Sequence, residues 1–349
     1  MPPGTTKGTM IARCLLLLLV LACSVSLSSA QPAAETGPDY TEPLGIALEG
    51  VEYPYPVQYY SFILEGQLVR MAYMVVEPAG TPLGRDVVLL HGKNFYGGYW
   101  GGPAQALSRA GFRVIIPDQI GFGKSSKPDV NYSFDLLAET TAKLLDQLGA
   151  SKVSVVGHSM GGMLAVRFAR TFPERTTHLV LEDPIGLEDY RMSIPPQPLS
   201  VLMEDEMTMT SADKIRTFYK NYVVKWDPSV FEPFVETRTR VTLSGEYPRW
   251  AKASARTYQM IYREPVRYEF TALRVPTLLV IGLQDRTVVG KKYAPAGLAA
   301  KLGDYAELGK AAARDIPGSE LLEIPNVGHI PHLEAPQSFD DALVRFLQK

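Results

Sequence analysis

Cysteine is nearly absent from this chain. Of 349 residues only Cys14 and Cys23 carry a thiol, and both lie in the first thirty positions, so the body of the protein cannot be stapled by disulfides. It has to be held by its core, and a chain of this length with 46% hydrophobic residues can build a large one. Charge of one sign is also missing. The net charge is -2 and no run of lysine or arginine stands out, which argues against a nucleic-acid or polybasic membrane partner. Histidine is sparse, five in all, so any histidine chemistry has few candidates. No metal-ligand cluster, Walker loop or dinucleotide glycine pattern occurs, and no cofactor is expected.

The one long apolar run is at the start. Lys7 and Arg13 precede Cys14 to Ala22, and Ser28-Ser29-Ala30 follows. A basic start, a short apolar centre and small residues before a cut describe an export signal over residues 1–30. The run is too short and its tail too polar for a stable membrane span in the mature chain. Cleavage after Ala30 predicts a periplasmic or secreted protein without thiols; lipidation at Cys23 ranks below simple cleavage. Met10 is an alternative start. Residues 31–53, rich in Pro, Ala, Thr and Glu at their beginning, read as a flexible lead-in.

Beyond it, short apolar runs alternate with helical spacing. Val57 to Leu64 and Leu68 to Val76 read as a hairpin; Asp86 to Leu90, Phe112 to Pro117, Val153 to Val156, His178 to Leu181, Thr277 to Ile281 and Glu320 to Ile324 read as further strands. Such runs predict an α/β fold: a mostly parallel sheet covered by helices on both faces, with an antiparallel first edge. From Pro184 to Pro276 the rhythm stops. That interval is rich in Met and aromatic residues, among them Met203, Met209, Tyr222, Trp226 and Trp250. A structureless loop so long is improbable, and a helical cap over the sheet is expected. The organisation is therefore core over 54–183, cap over 184–275, and core again over 276–349.

Directly after the run Val153 to Val156 stands Gly157-His158-Ser159-Met160-Gly161. G-x-S-x-G at a strand-to-helix turn is a nucleophile elbow: the glycines leave room for a strained serine, whose hydroxyl rises above the sheet beside the N–H of Met160. A serine hydroxyl needs a base, and the base a carboxylate, in the chain order Ser, Asp or Glu, His. His91 precedes the elbow, His158 sits inside it with its side chain turned away, and His178 opens a strand. His329, in Asn326-Val327-Gly328-His329, is the expected base in preference to His332. Asp285, just past Thr277 to Ile281, is the expected acid; Asp183 and Glu182 are rivals. The second oxyanion donor is expected from the loop after His91-Gly92, with Lys93 first and Asn94 next. The Lys93 ammonium either assists anion binding or points to solvent. Phe95 to Trp100 form a Gly/aromatic loop, placed against the acyl pocket or the cap.

These motifs resemble the α/β-hydrolase superfamily, in its capped branch of esterases, C–C bond hydrolases, epoxide hydrolases and haloalkane dehalogenases. His91-Gly92 resembles the family's oxyanion loop, Asp118 to Ser126 its D-x-x-G-x-G-x-S segment, and Gly328-His329 through Pro336 its histidine loop. The resemblance implies a helical cap that selects the substrate. Ser159 in place of an aspartate nucleophile argues against epoxide hydrolase and dehalogenase activity, and Met160 lacks the tryptophan of dehalogenases and proline-specific aminopeptidases. Ser125 and Ser126 read as structural. An exported carboxylesterase acting on a small ester or acyl substrate is the leading expectation. C–C bond or amide hydrolysis with the same residues is the alternative, and a non-catalytic ligand-binding protein is the reading from another class.

Overall fold

The computed structural model describes Met1 and residues 37–349; the segment read as an export signal, both cysteines and the first part of the lead-in lie outside the described residues. Eight strands form one sheet: β1 (Val57–Leu64), β2 (Gln67–Val76), β3 (Asp86–Leu90), β4 (Arg113–Pro117), β5 (Val153–His158), β6 (Thr176–Glu182), β7 (Thr277–Gly282) and β8 (Glu320–Ile324). Their order is β1-β2-β4-β3-β5-β6-β7-β8. β1 and β2 form the hairpin, β2 is also antiparallel to β4, and every other pair is parallel.

Alternation along the central strands decides which helix covers which face. Val88, Leu90, Val155, Leu179, Leu181, Leu279 and Ile281 point to one side, where α2 (Phe134–Gln147) and α3 (Met160–Thr171) bury Leu137, Leu144, Leu164 and Phe168. Val87, Leu89, Val156, Val180, Leu278 and Val280 point to the other, against Leu107 of α1 (Gly101–Arg109) and, near the C-terminus, Phe339, Leu343 and Phe346. Burial on both faces is why these strands read as continuous apolar runs. α2 begins where the Ser133 hydroxyl accepts from Leu136 N and ends before Gly149, whose φ of +68° only glycine adopts without strain.

Between β6 and β7 the chain makes helices and no strand: α4 (Leu199–Thr208), α5 (Ala212–Lys220), α6 (Pro228–Thr242) and α7 (Tyr247–Arg263). Ser211 and Asp227 cap α5 and α6, and Pro228 opens α6 where a missing N–H costs nothing. Between β7 and β8 lie the short α8 (Ala296–Ala299) and α9 (Tyr305–Asp315); α10 (Pro331–Glu334) and α11 (Pro336–Leu347) end the chain.

The lead-in differs from expectation. From residue 37 on it has no helix or strand, yet Leu44, Ile46 and Leu48 are buried against Val241 and Tyr247. Arg216 and Arg240 of the helical segment donate to the Pro38 and Glu42 carbonyls. The Leu44 amide donates to the Arg240 carbonyl, and successive turns closed by Leu48 N to Gly45 O and Val51 N to Leu48 O fold Ile46 and Leu48 inward, a burial that the Pro- and Glu-rich beginning conceals.

Candidate active site

Parallel register brings the strand ends level. Leu90 pairs with Gly157, Gly157 with Leu181, and Gly282 with Ile324. After β3 the chain leaves toward β4, and after β5 it leaves toward β6, so the carboxyl ends of β3 and β5 flank a crevice where the winding reverses. Residues 91–94 and Ser159 both enter that crevice.

Ser159 follows β5 with φ 57° and ψ −119°, a conformation that costs a non-glycine residue about 1–3 kcal/mol. Its neighbours make room. A Cβ on Gly157 would stand 2.1 Å from the Gly161 carbonyl oxygen, and one on Gly161 would stand 2.1 Å from that of Leu90. Two amides hold the turn: Ser159 N donates to the Glu182 carbonyl and Gly162 N to that of Ser159. The Ser159 hydroxyl lies 2.9 Å from His329 Nε2, and His329 Nδ1 lies 2.6 Å from Asp285 Oδ2. All three residues are buried. The other Asp285 oxygen accepts from Thr287 N at 2.7 Å. Arg286 turns instead to backbone carbonyls, those of Leu283 and Asp285. The structure thus brings together the three residues read as nucleophile, base and acid. Neither the Met160 nor the Lys93 amide finds a hydrogen-bond partner among the described residues.

The rival acids are occupied elsewhere. Both Asp183 oxygens face the Gly282 amide, at 3.0 and 3.1 Å. Burial, then the neighbouring Asp285 and Glu182, pushes this carboxyl well above its ordinary range. Glu182 binds the amide and Nδ1 of His332 at 2.7 and 2.9 Å. His332 is therefore a packed, hydrogen-bonded residue, and its ring stacks on Trp100 at 4.3 Å. His91 donates from Nδ1 to the Gly92 carbonyl and accepts the Gln119 amide at Nε2. His178 lies inside β6 with its ring edge-on to Phe346.

A set of bonds behind the site was not visible in the sequence. His158 Nε2 lies 2.7 Å from the His329 carbonyl oxygen. A carbonyl only accepts, so Nε2 carries the proton and Nδ1 accepts from the Tyr99 hydroxyl, 2.8 Å away. The same hydroxyl accepts the Gly92 amide at 2.8 Å. Burial, then the neighbouring His329, pushes the His158 pKa well down, which agrees with a neutral ring. Tyr99 and His158 thus connect the loop after β3, the elbow and the loop after β8. The His329 loop is also fixed from the helical side: His329 N donates to the Tyr222 carbonyl at 2.6 Å, an approach that a Cβ on Gly328 would block at 2.3 Å. The aromatic loop is packed, with Phe95 against Tyr219 and Phe234. In the D-x-x-G-x-G-x-S segment Ser125 is structural: its hydroxyl accepts from Ala72 N and donates to the Asp118 carbonyl.

A cavity of about 640 Å³ runs from Lys93, Asn94 and Tyr222 between the inserted helices and the loop after Asp285. Ser159 is not in its wall; the Tyr222 ring, 5.1 Å from that of His329, is where cavity and site meet. The Lys93 side chain turns to the inserted helices and is 10% exposed. Its ammonium donates to Ser254 Oγ at 2.7 Å and faces Glu206 at 3.9 Å. Burial pushes its pKa down to about 8. Among the described residues no group of three or more His, Cys, Asp or Glu is placed to hold a metal ion, and no helix is long and apolar enough to cross a membrane.

Residues 87–336 match the alpha/beta hydrolase fold family. The solved structure of a probable hydrolytic enzyme from Pseudomonas aeruginosa PAO1 is 44% identical, covers 88% of this chain and 99% of its own, and superposes with a TM-score of 0.86. Lipase 1 of Psychrobacter immobilis is 27% identical over 75% of this chain and 76% of its own length. Pimeloyl-[acyl-carrier protein] methyl ester esterase of Nitrosomonas europaea is 28% identical over 77% of this chain and 97% of its own length. The chain belongs to the alpha/beta hydrolase fold family and is a hydrolase.

Proposed function

We propose that this hydrolase cleaves carboxylic esters through an acyl-enzyme on Ser159. The observation that carries the reading is the buried relay from Ser159 Oγ to His329 Nε2 at 2.9 Å and from His329 Nδ1 to Asp285 at 2.6 Å. The His329 ring takes the hydroxyl proton as Ser159 Oγ bonds to the acyl carbon, and Asp285 holds the ring in the tautomer that can do so. The Met160 and Lys93 amides receive the developing oxyanion, a role typically worth 10²- to 10³-fold per donor. The C–O bond to the alcohol then breaks and His329 returns the proton to that oxygen. Water, deprotonated by the same histidine, attacks the acyl carbon and releases the acid and a free Ser159. The helices over 184–275 act as the cap that shapes the cavity. Similarity to a lipase and a methyl ester esterase supports an ester substrate. The pattern over residues 1–30 supports export with cleavage after Ala30.

A fluorophosphonate probe and a panel of p-nitrophenyl esters, aryl amides and vinylogous diketones test this. The wild type is expected to take the probe and to turn over esters fastest, and folded Ser159→Ala to do neither. Probe labelling with turnover of the diketone alone makes the protein a C–C hydrolase. No labelling of folded wild type makes it a binding protein.

A further inference from the structure

We infer that the cavity holds an anion subsite built on Lys93 and Arg238, and that the substrate is an ester carrying a second, ionised carboxylate. This rests on the esterase reading for its reaction but on the cavity wall for its charge. Five lining residues are cationic, Lys93, Arg238, Arg286, Lys291 and Lys292, against two acidic ones, Asp205 and Glu206. At the buried end the imbalance is sharpest. Glu206 of α4 is shared between Lys93 and Arg238 of α6, so two cations face one anion in a wall where side-chain exposure is 10% for Lys93 and 11% for Arg238. An uncompensated buried charge costs several kcal/mol, which a ligand anion would offset.

The hydrogen-bonding groups agree with the charges. Arg238 Nε is buried without a partner among the described residues, as are the hydroxyls of Thr287, Tyr258 and Tyr293, all residues of the same wall. All four can donate, and a carboxylate only accepts. The Arg238 guanidinium carbon lies over the Trp250 ring, 4.2 Å from its centre, which buttresses the group while one Nη pairs with Glu206 and Nε stays free. The subsite is also close to the reacting atoms. A Cβ on Gly92 would stand 3.2 Å from Ser159 Cβ, and Lys93 is the next residue. Its amide is the oxyanion donor of the proposed reaction, and its side chain belongs to the cavity wall. Burial outweighs the pull of Glu206 on that ammonium, and Arg238 repels it further, as expected of a cation lacking its full share of negative charge.

The test compares kcat/KM within two matched pairs: mono-p-nitrophenyl glutarate against p-nitrophenyl valerate, and 4-carboxyphenyl acetate against phenyl acetate. The wild type is expected to favour the charged ester about tenfold or more in one pair. Lys93→Met should collapse that ratio about tenfold, and Glu206→Gln, which removes the competing anion, should raise it severalfold. A helix-anchoring role for the cluster would lower both esters alike in both variants, and that result, or a wild-type ratio of one or less in both pairs, overturns the subsite. Calorimetric titration of monomethyl glutarate into Ser159→Ala separates the two readings. Binding that is lost on adding Lys93→Met, in a protein that cleaves no ester, keeps the subsite and removes the esterase. Absence of binding, in a protein whose wild type cleaves neutral esters, does the reverse.

Discussion

Replacing Tyr99 with phenylalanine deletes one oxygen and keeps the ring. That ring is buried, stacked on Phe95 at 5.0 Å and edge-on to His332 at 4.6 Å, so little packing is lost. The hydroxyl is a different matter. It accepts from Gly92 N and donates to His158 Nδ1, both at 2.8 Å, and each of those groups is buried. Two polar groups left without partners cost about 1–3 kcal/mol each, together about 2–6 kcal/mol. For a cooperative unit of this size that corresponds to a Tm lowered by about 3–9 °C. The kinetic effect follows from what the oxygen joins. His158 holds the His329 carbonyl, and Gly92 precedes Lys93, so base and oxyanion donor both lose a restraint. Misplacement on the order of 1 Å costs about 10²-fold, and kcat should fall about 10- to 100-fold with KM nearly unchanged. The pH profile should keep its shape, because Tyr99 moves no proton in the reaction. Scanning calorimetry and p-nitrophenyl ester kinetics give both readouts. A Tm within about 1 °C of wild type together with a kcat within about twofold would refute the argument that this hydroxyl positions the site.

The acid is tested by a paired substitution. Asp285→Asn should lower kcat about 10⁴-fold by presenting an amide where His329 needs a carboxylate, while Asp183→Asn, which keeps an acceptor for the Gly282 amide and does not touch His329, should stay within about tenfold of wild type; the reverse outcome assigns the acid to Asp183. The charge preference of the cavity should depend on pH. The Lys93 ammonium faces Glu206 of α4, Arg238 of α6 and the Ser254 hydroxyl of α7, and with its pKa pushed down to about 8 it is charged below that pH and neutral above it. The ratio of charged to neutral ester turnover is thus full below pH 8 and falls as pH rises through it; a flat ratio from pH 6.5 to about 9.5 contradicts the role given to Lys93.

Much of the core was readable because its constraints are local. Val87 to Leu90 is apolar throughout, and Val153 to Val156 is apolar but for the buried Ser154, since both faces are covered, and the elbow needs its glycines because backbone oxygens lie where their Cβ atoms would be. Asp285 and His329 were readable as the polar residues that follow β7 and β8. Tyr99 was not, since nothing near it in sequence separates it from Tyr96; its partners, Gly92 and His158, are joined to it only by the pairing of β3 with β5. The burial of Leu44, Ile46 and Leu48 depends likewise on α6 and α7, about two hundred residues further on.

The Lys93 side chain shows where such reading stops. A core motif sets its backbone, but its charge environment comes from three helices that local pattern describes only as amphipathic. Glu206, Arg238 and Ser254 meet because α4, α6 and α7 dock together, and no spacing in the chain announces that meeting. The consequence is physical. Strand register fixes the reacting groups, whereas the charge that a substrate meets one side chain away is set across the contact between that loop and the inserted helices. On the proposed function, a substitution confined to the helices, such as Glu206→Gln, can therefore change which esters are accepted while Ser159, His329 and Asp285 keep their positions.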